Sequence, residues 1–243
     1  MDKNLTEFTY KMILSYDGSR FFGSAKQPDL KCVQNTLDNA LHSVGVFKPS
    51  IFASRTDKGV HAKCNVARIS SPYKLNESFV IKKLNRILDG IYIRNLSLCD
   101  FEPRFDAKIR SYRYIFAKNH NAFSKAYFSV YEKDLDINLL KQAIKLYEGE
   151  HDFALFCLSL DDDKNSVRTI YKTRVYEYKD FVVLNFFANG FLRGQIRLMV
   201  DFLLKINEGK LSLNNLKEQI DCKKIHSRTL AKPNGLYLKS ITY

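Results

Sequence analysis

A loop between two predicted strands carries an aspartate among basic residues. Residues 53–62 read ASRTDKGVHA, so Arg55 and Lys58 flank Asp57, and Gly59 gives the backbone freedom to turn. Nearby cations favour the ionised form of a carboxyl group, and an ionised aspartate can act as a nucleophile or a general base. A single loop aspartate more commonly stabilises its own turn. This loop alone therefore leaves both roles open.

A predicted strand carries tyrosines that alternate with basic residues. In the segment 110–115, RSYRYI, Tyr112 and Tyr114 share one face and Arg113 points to the other. Aromatic rings beside cations are typical of surfaces that stack on nucleobases. Because tyrosine is also a good strand former, an ordinary sheet explains this segment equally simply when it is taken by itself.

A third segment, 191–200, reads FLRGQIRLMV and is apolar on almost every helical face, which predicts burial. An arginine on a buried helix needs an anion, since an unpaired buried charge is strongly disfavoured. Arg197 could pair with Asp57 of the loop. It could also pair with Asp201, four residues on and on the same helical face, where Arg193 continues the polar stripe.

The elements that must position these segments form two mixed α/β halves. Alternation and helical spacing predict β-α-β-β-α-β over residues 8–16, 33–44, 51–53, 66–69, 79–88 and 91–93. The second half reads as a strand, a helix, a hairpin, two helices and a strand over residues 109–118, 137–147, 168–178 with 181–188, 191–206, 213–220 and 236–241. Because no Pro/Gly/Ser-rich linker separates the halves, we predict an α+β fold with pseudo-two-fold symmetry.

Charge points to a polyanionic partner. The 243 residues contain 39 Lys and Arg against 26 Asp and Glu, a net charge of +13. The excess is clustered, with six basic residues and one acidic residue over 48–74, and five and one over 104–118. Clusters of this kind favour nucleic acid through counterion release. A lysine-rich proteome with solvated surfaces is the alternative.

Several protein classes are disfavoured. The five cysteines are far apart and form no C-x-x-C pair, so neither a zinc site nor a disulfide framework is expected, and reduced thiols are typical of the cytoplasm. No apolar run is long enough to span a bilayer, and the N-terminus lacks the pattern of a signal peptide. The acidic run 161–163 is expected to be a solvated loop.

Taken together, these segments resemble the tRNA pseudouridine synthase A (TruA) family. SRTDKGVHA resembles that family's catalytic loop, usually G-R-T-D-x-G-V-H; IRSYRYI resembles its tyrosine strand, and FLRGQIRLMV its buried-arginine motif. Further similar segments, in the family's order, are SYDGSRFFG, FEPRFDAKIRSYRYI, YEGEHDFALF and AKPNGLYLKSITY. The resemblance covers nearly the whole chain, and so many motifs in order are highly specific.

The resemblance implies a pseudouridine synthase fold with two ferredoxin-like halves, 1–105 and 106–243, a mostly antiparallel central sheet flanked by helices, and a catalytic cleft between the halves. It implies isomerisation of uridine to pseudouridine at positions 38, 39 and 40 of the tRNA anticodon stem-loop, without metal or cofactor. A cytoplasmic homodimer that binds tRNA, with no membrane association, is expected.

The resemblance also assigns roles to residues. Asp57 would be the nucleophile, Arg197 its ion-pair partner, and Tyr112 would stack on the target base and assist proton removal. Arg55 would help to hold the extruded nucleotide. Further substrate contacts are expected from Lys58, His61, Arg110 and Arg113.

The chain departs from the family's pattern near these residues. Ser54 replaces the usual Gly of the loop, Ser24-Ala25 stands where Trp-Gln is common, and Asp201 stands where a Gly usually follows the buried-arginine motif. These changes bear on substrate range and rate more than on reaction type. A non-catalytic RNA-binding protein or RNA chaperone of the same fold, and an enzyme acting on ribosomal RNA, are the competing hypotheses.

Overall fold

The computed structural model describes residues 7–119, 124–159 and 165–243, and its elements follow the predicted order except for two short strands, Ser129–Val130 and Gly149–Asp152, that were not predicted. The elements are β1 (Phe8–Tyr16), α1 (Val33–His42), β2 (Ile51–Phe52), β3 (His61–Ser71), α2 (Glu77–Ile87), β4 (Ile91–Leu98), β5 (Ile109–Ala117), β6 (Ser129–Val130), α3 (Ile137–Lys145), β7 (Gly149–Asp152), β8 (Val167–Tyr178), β9 (Phe181–Ala188), α4 (Gln195–Asn207), α5 (Leu213–Ile220) and β10 (Leu236–Thr242). The acidic run 161–163 and residues 1–6 lie outside the described ranges.

The first compact unit comprises Met1–Lys108 with Leu238–Tyr243. Its sheet has the strand order β4-β1-β3-β10, with β1 antiparallel to both β3 and β4, and β2 paired to β3. From Tyr10 to Tyr16 every second residue of β1 is buried, because alternate side chains of a strand point to the same face. The strand thereby contributes one whole side-chain face to the core.

The second compact unit is Ile109–Tyr237. Its strands run in the order β5-β9-β8-β7, all antiparallel, and the short β6 pairs in parallel with β5. The β8–β9 hairpin turns at Lys179, whose φ of 53° is left-handed. Helix α4 supplies much of the core through Met199, Phe202 and Leu203, all fully buried. The domain boundary expected at 105/106 stays a prediction.

The predicted α+β class with mostly antiparallel strands and flanking helices is confirmed. The predicted start of α4 at residue 191 is wrong, because the helix begins at Gln195, after Gly194 in the left-handed region at φ 72°. Strand β3 is longer than predicted and begins at His61. Within the described residues, every helix falls short of the length and apolar character needed to cross a membrane.

Candidate active site

The segment 53–60 joins β2 to β3 and presents Asp57 at the start of a tight turn. The Val60 N–H donates to the Asp57 carbonyl oxygen at 3.1 Å, and Gly59 has φ 79°, the conformation that the third residue of a type II turn requires. Asp57 is half-buried, while Arg55 and Lys58 on either side are exposed. The turn is therefore closed by a hydrogen bond between backbone atoms.

Tyr16 and Asn65 support the loop through buried hydrogen bonds. The Tyr16 hydroxyl lies 2.8 Å from Thr56 Oγ1, and Asn65 Nδ2 donates to Tyr16 at 3.1 Å and to the Ser54 carbonyl at 2.9 Å. Asn65 is fully buried, and burial raises the pKa of Tyr16 above its usual value of 10, so the phenol stays neutral. The loop is therefore held on both sides of Arg55, which favours a preorganised site.

Ser24 holds the same loop through its backbone and its hydroxyl. Its N–H donates to the Thr56 carbonyl at 3.0 Å, and the Thr56 N–H donates to Ser24 Oγ at 2.7 Å. Ser24 is 1% exposed. The preceding Gly23 has φ 97°, and a Cβ there would lie 3.0 Å from the Thr56 carbonyl oxygen. The serine that departs from the family's pattern is thus a direct support of the residue before Asp57.

Replacing Ser24 with alanine is expected to lower the free energy of unfolding by about 2 kcal/mol, because the buried Thr56 N–H loses its acceptor. The turnover rate should fall as well, since Thr56 adjoins Asp57. Urea unfolding followed by circular dichroism measures the stability. Ser43→Ala is the matched control, because the exposed Ser43 hydroxyl donates to the Ala40 carbonyl where water can replace it. Equal losses in the two variants would contradict the role of Ser24.

His61 is the first residue of β3, directly after the loop. It is 2% exposed, and its Nδ1 is 3.1 Å from the Gly18 N–H and 3.3 Å from an Asp17 carboxylate oxygen. A ring nitrogen that accepts from the Gly18 N–H cannot at the same time donate to Asp17. This position braces the end of the loop, and the substrate contact expected of His61 stays a prediction.

Lys58 lies beside an exposed aromatic ring. Its Nζ is 4.1 Å from the centroid of Phe22, which is 42% exposed, a distance typical of a cation–π contact. A cation and an aromatic ring are thereby presented together next to Asp57.

In the second unit, Tyr112 and Tyr114 point to the same face of β5. Tyr112 is 7% exposed and makes an edge-to-face contact with Phe191, with ring centroids 5.3 Å apart. Tyr114 is fully buried and donates to the Lys232 carbonyl at 2.7 Å; burial raises its pKa to about 12, with Arg197 lowering and Asp201 raising it by smaller amounts. Tyr114 is therefore a neutral part of the core, close to Arg197.

Arg113 and Arg110 are anchored elsewhere on the same strand. Arg113 Nε donates to Asn185 Oδ1 at 3.2 Å, on the face opposite to Tyr112, and Arg110 donates to the Asn189 carbonyl at 2.8 Å. Their expected contacts with substrate stay predictions.

Arg197 is half-buried on the first turns of α4. Its Nε donates to the Ala231 carbonyl at 2.7 Å, and the Ala231 N–H returns a bond to the Arg197 carbonyl at 3.1 Å. Asp201 forms an ion pair with Lys205 at 3.0 Å and accepts from Ser227 at 3.3 Å. Asp201, which the sequence offered as an alternative to Asp57 as the partner of Arg197, is thus paired with Lys205.

Comparison with known proteins adds a decisive observation. Residues 143–243 match the family model described as tRNA pseudouridine synthase. The protein named tRNA pseudouridine synthase A in Campylobacter jejuni is 46% identical over 238 residues, covering 96% of this chain and 99% of that protein. The chain belongs to the tRNA pseudouridine synthase A family. The resemblance drawn from the motifs is therefore confirmed.

Other members of the family match over similar lengths. The proteins of that name in Helicobacter hepaticus and Phytoplasma mali are 39% and 38% identical, covering 97% and 98% of this chain and 99% and 100% of theirs. One chain of a crystal structure of a Cbf5-Nop10-Gar1 complex superposes with a TM-score of 0.34 at 12% identity, over 74% of this chain and 40% of that chain.

For a member of this family, the structure places the predicted residues in two groups. Arg55, Asp57, Lys58 and His61 lie on or at the end of one supported loop in the first unit, and Tyr112 and Arg197 lie in the second unit. Over the described ranges, the histidine, cysteine and acidic side chains nowhere form a group of three that could hold a metal ion. Sequence reasoning missed Asn65, because the predicted strand began at Val66 and left Asn65 in the polar loop, whereas β3 begins at His61.

Proposed function

We propose that this protein isomerises uridine to pseudouridine in the anticodon stem-loop of tRNA, at positions 38, 39 and 40, with Asp57 as the nucleophile. The observation that carries the proposal is the identity of 46% to a tRNA pseudouridine synthase A over almost the full length of both chains. The supported turn adds to it, because a nucleophile must be held in its reactive geometry before the substrate arrives.

In this mechanism the Asp57 carboxylate attacks the sugar or the ring of the target nucleotide as the glycosidic carbon–nitrogen bond breaks. The freed uracil turns and rejoins the sugar through a ring carbon. That carbon then loses its proton and the ring nitrogen gains one, so product and substrate have the same composition. No electron is transferred overall, and Asp57 is released unchanged.

The other side chains assist this exchange. Tyr112 stacks on the uracil and assists proton removal from the ring carbon, and Arg197 pairs with Asp57 and keeps it ionised. Arg55 holds the nucleotide outside its stem, because the reacting atoms are inaccessible inside a base stack. Asp201, the alternative partner that the sequence offers to Arg197, forms an ion pair with Lys205 at 3.0 Å.

The net charge of +13 supports tRNA as the polyanion. The family resemblance supports a homodimer that works in the cytoplasm.

Unmodified tRNA transcripts test the function. We expect the protein to form pseudouridine in a transcript with uridine at position 38, 39 or 40, as mapped by carbodiimide-dependent reverse-transcription stops. A transcript with cytidine at all three positions should yield none. Product at other uridines, with these three unmodified, would refute the proposed site, and absence of product from tRNA that the protein binds would favour a non-catalytic RNA-binding protein.

A further inference from the structure

A pocket of about 220 Å³ opens beside the Asp57 loop, within the first unit. We call it the Arg55–Arg104 pocket, and its lining comprises Ser24, Ala25, Gln34, residues 49–52, Arg55 and Arg104. Arg55 is two residues from Asp57, so their Cα atoms are at most about 7 Å apart. The pocket is therefore lined by a residue of the same loop that carries Asp57.

The charge of the lining selects an anion. Two arginines line the pocket, and its lining includes neither aspartate nor glutamate. The carboxylate of Asp38 accepts from the Ser50 N–H at 3.0 Å and from its hydroxyl at 2.6 Å, and Asp38 is not part of the lining. Arginine is suited to phosphate because its planar guanidinium can donate two parallel hydrogen bonds.

The walls of the pocket are held in place. Arg104 Nε donates to the Phe52 carbonyl at 3.4 Å, which sets the guanidinium against the wall. Gln34 Nε2 donates to the Ser50 carbonyl at 2.7 Å, and its Oε1 accepts from the Lys26 N–H at 3.2 Å. The polar atoms of Gln34 are thus used within the wall, and the charged side chains of the lining are those of Arg55 and Arg104.

The small side chains of Ser24 and Ala25 keep the pocket open. Both line it, and Ser24 is in addition fixed to the loop through Thr56. A large aromatic side chain at either position would take up much of a volume of about 220 Å³. Ser24 thus both leaves space in the pocket and supports the loop.

We propose that the Arg55–Arg104 pocket binds a phosphodiester group of the tRNA strand next to the extruded uridine, and that Arg104 is a substrate-binding residue. The inference rests on the proposed function, because it takes the substrate strand to be RNA. Its consequence is that the protein binds the RNA backbone next to the reacting nucleotide, independently of base identity.

The test pairs single neutral linkages in the RNA with single changes in the protein. Each anticodon stem-loop RNA carries a single methylphosphonate, on one side or on the other side of the target uridine. Affinity is measured by fluorescence anisotropy. All proteins carry Asp57→Ala, so the readout is binding alone. We expect one of the two linkages to weaken binding by the Asp57→Ala parent about tenfold. The same linkage should change the affinity of the variant that carries both Asp57→Ala and Arg104→Gln by less than about twofold.

Arg86→Gln is the matched control, since Arg86 is an exposed arginine of α2 outside the pocket, and it should keep the tenfold sensitivity. Ala25→Trp, which fills the pocket without removing charge, should weaken binding of the unmodified RNA about tenfold, with thermal melting to verify folding. The proposal would be overturned if the parent and the Arg104→Gln variant were equally sensitive to each linkage, or if the parent were sensitive to neither. Undiminished binding by a folded Ala25→Trp variant would also overturn it. Absence of pseudouridine formation by the wild type would refute the proposed function without altering these binding results.

Discussion

Replacing Asp57 with alanine is expected to abolish pseudouridine formation, with a fall in kcat of at least about 10⁴-fold, because the nucleophile is lost. The turn should survive, since its hydrogen bond runs from the Val60 N–H to the Asp57 backbone carbonyl and not to the carboxylate. Affinity for tRNA should remain within about threefold, because the change removes a negative charge from a surface that binds a polyanion. Single-turnover assays on tRNA transcripts and binding titrations measure the two effects.

Asp100→Ala is the matched control for the Asp57 experiment, since Asp100 is an exposed aspartate of the same unit outside the loop. It should keep wild-type kcat and affinity. Substantial product from Asp57→Ala would refute the nucleophile assignment. A variant that no longer binds tRNA would instead show that Asp57 holds the loop in shape, contrary to the backbone hydrogen bond that closes its turn.

Replacing Gly18 with alanine is expected to have the second-largest effect, with a loss of about 3 kcal/mol in the free energy of unfolding. A Cβ at Gly18 would lie 2.0 Å from the Val60 carbonyl oxygen and 2.4 Å from the Val60 carbonyl carbon. Both are backbone atoms, so a side-chain rotation cannot relieve the clash, and the end of the Asp57 loop must shift. We therefore expect kcat to fall about 100-fold in the protein that still folds, because misplacement by about 1 Å costs that much.

Gly190→Ala is the control for the Gly18 experiment. A Cβ at Gly190 would meet only the Arg168 side chain, at 3.5 and 3.6 Å, which is ordinary contact. Stability should stay within about 1 kcal/mol of the wild type, because the alanine also restricts the unfolded chain. Chemical denaturation and steady-state assays compare the two variants. A Gly18→Ala protein with wild-type stability and kcat would show that the loop tolerates displacement.

Much of the secondary structure could be predicted because it depends on neighbours along the chain. The alternation in β1 placed the strand at the residues it occupies, 8–16, and the two-residue turn after Tyr178 located the β8–β9 hairpin. The start of α4 could not be predicted in this way. Phe191 packs on Tyr112, a residue distant in the chain. The apolar pattern therefore begins at residue 191, four residues before the helix itself begins at Gln195.

The sequence by itself determined the family, the α+β class and the identity of the candidate nucleophile, because these rest on residue types in a fixed order. Only the tertiary structure decided how the loop of Asp57 is held. Thr56 meets Ser24 across 32 residues of chain, and Asn65 meets Tyr16 across 49. It also decided that Arg104 lines a pocket with Arg55. Spacing along a chain reports contacts within a strand or helix, whereas hydrogen bonds and pockets between distant segments exist only once the strands have paired.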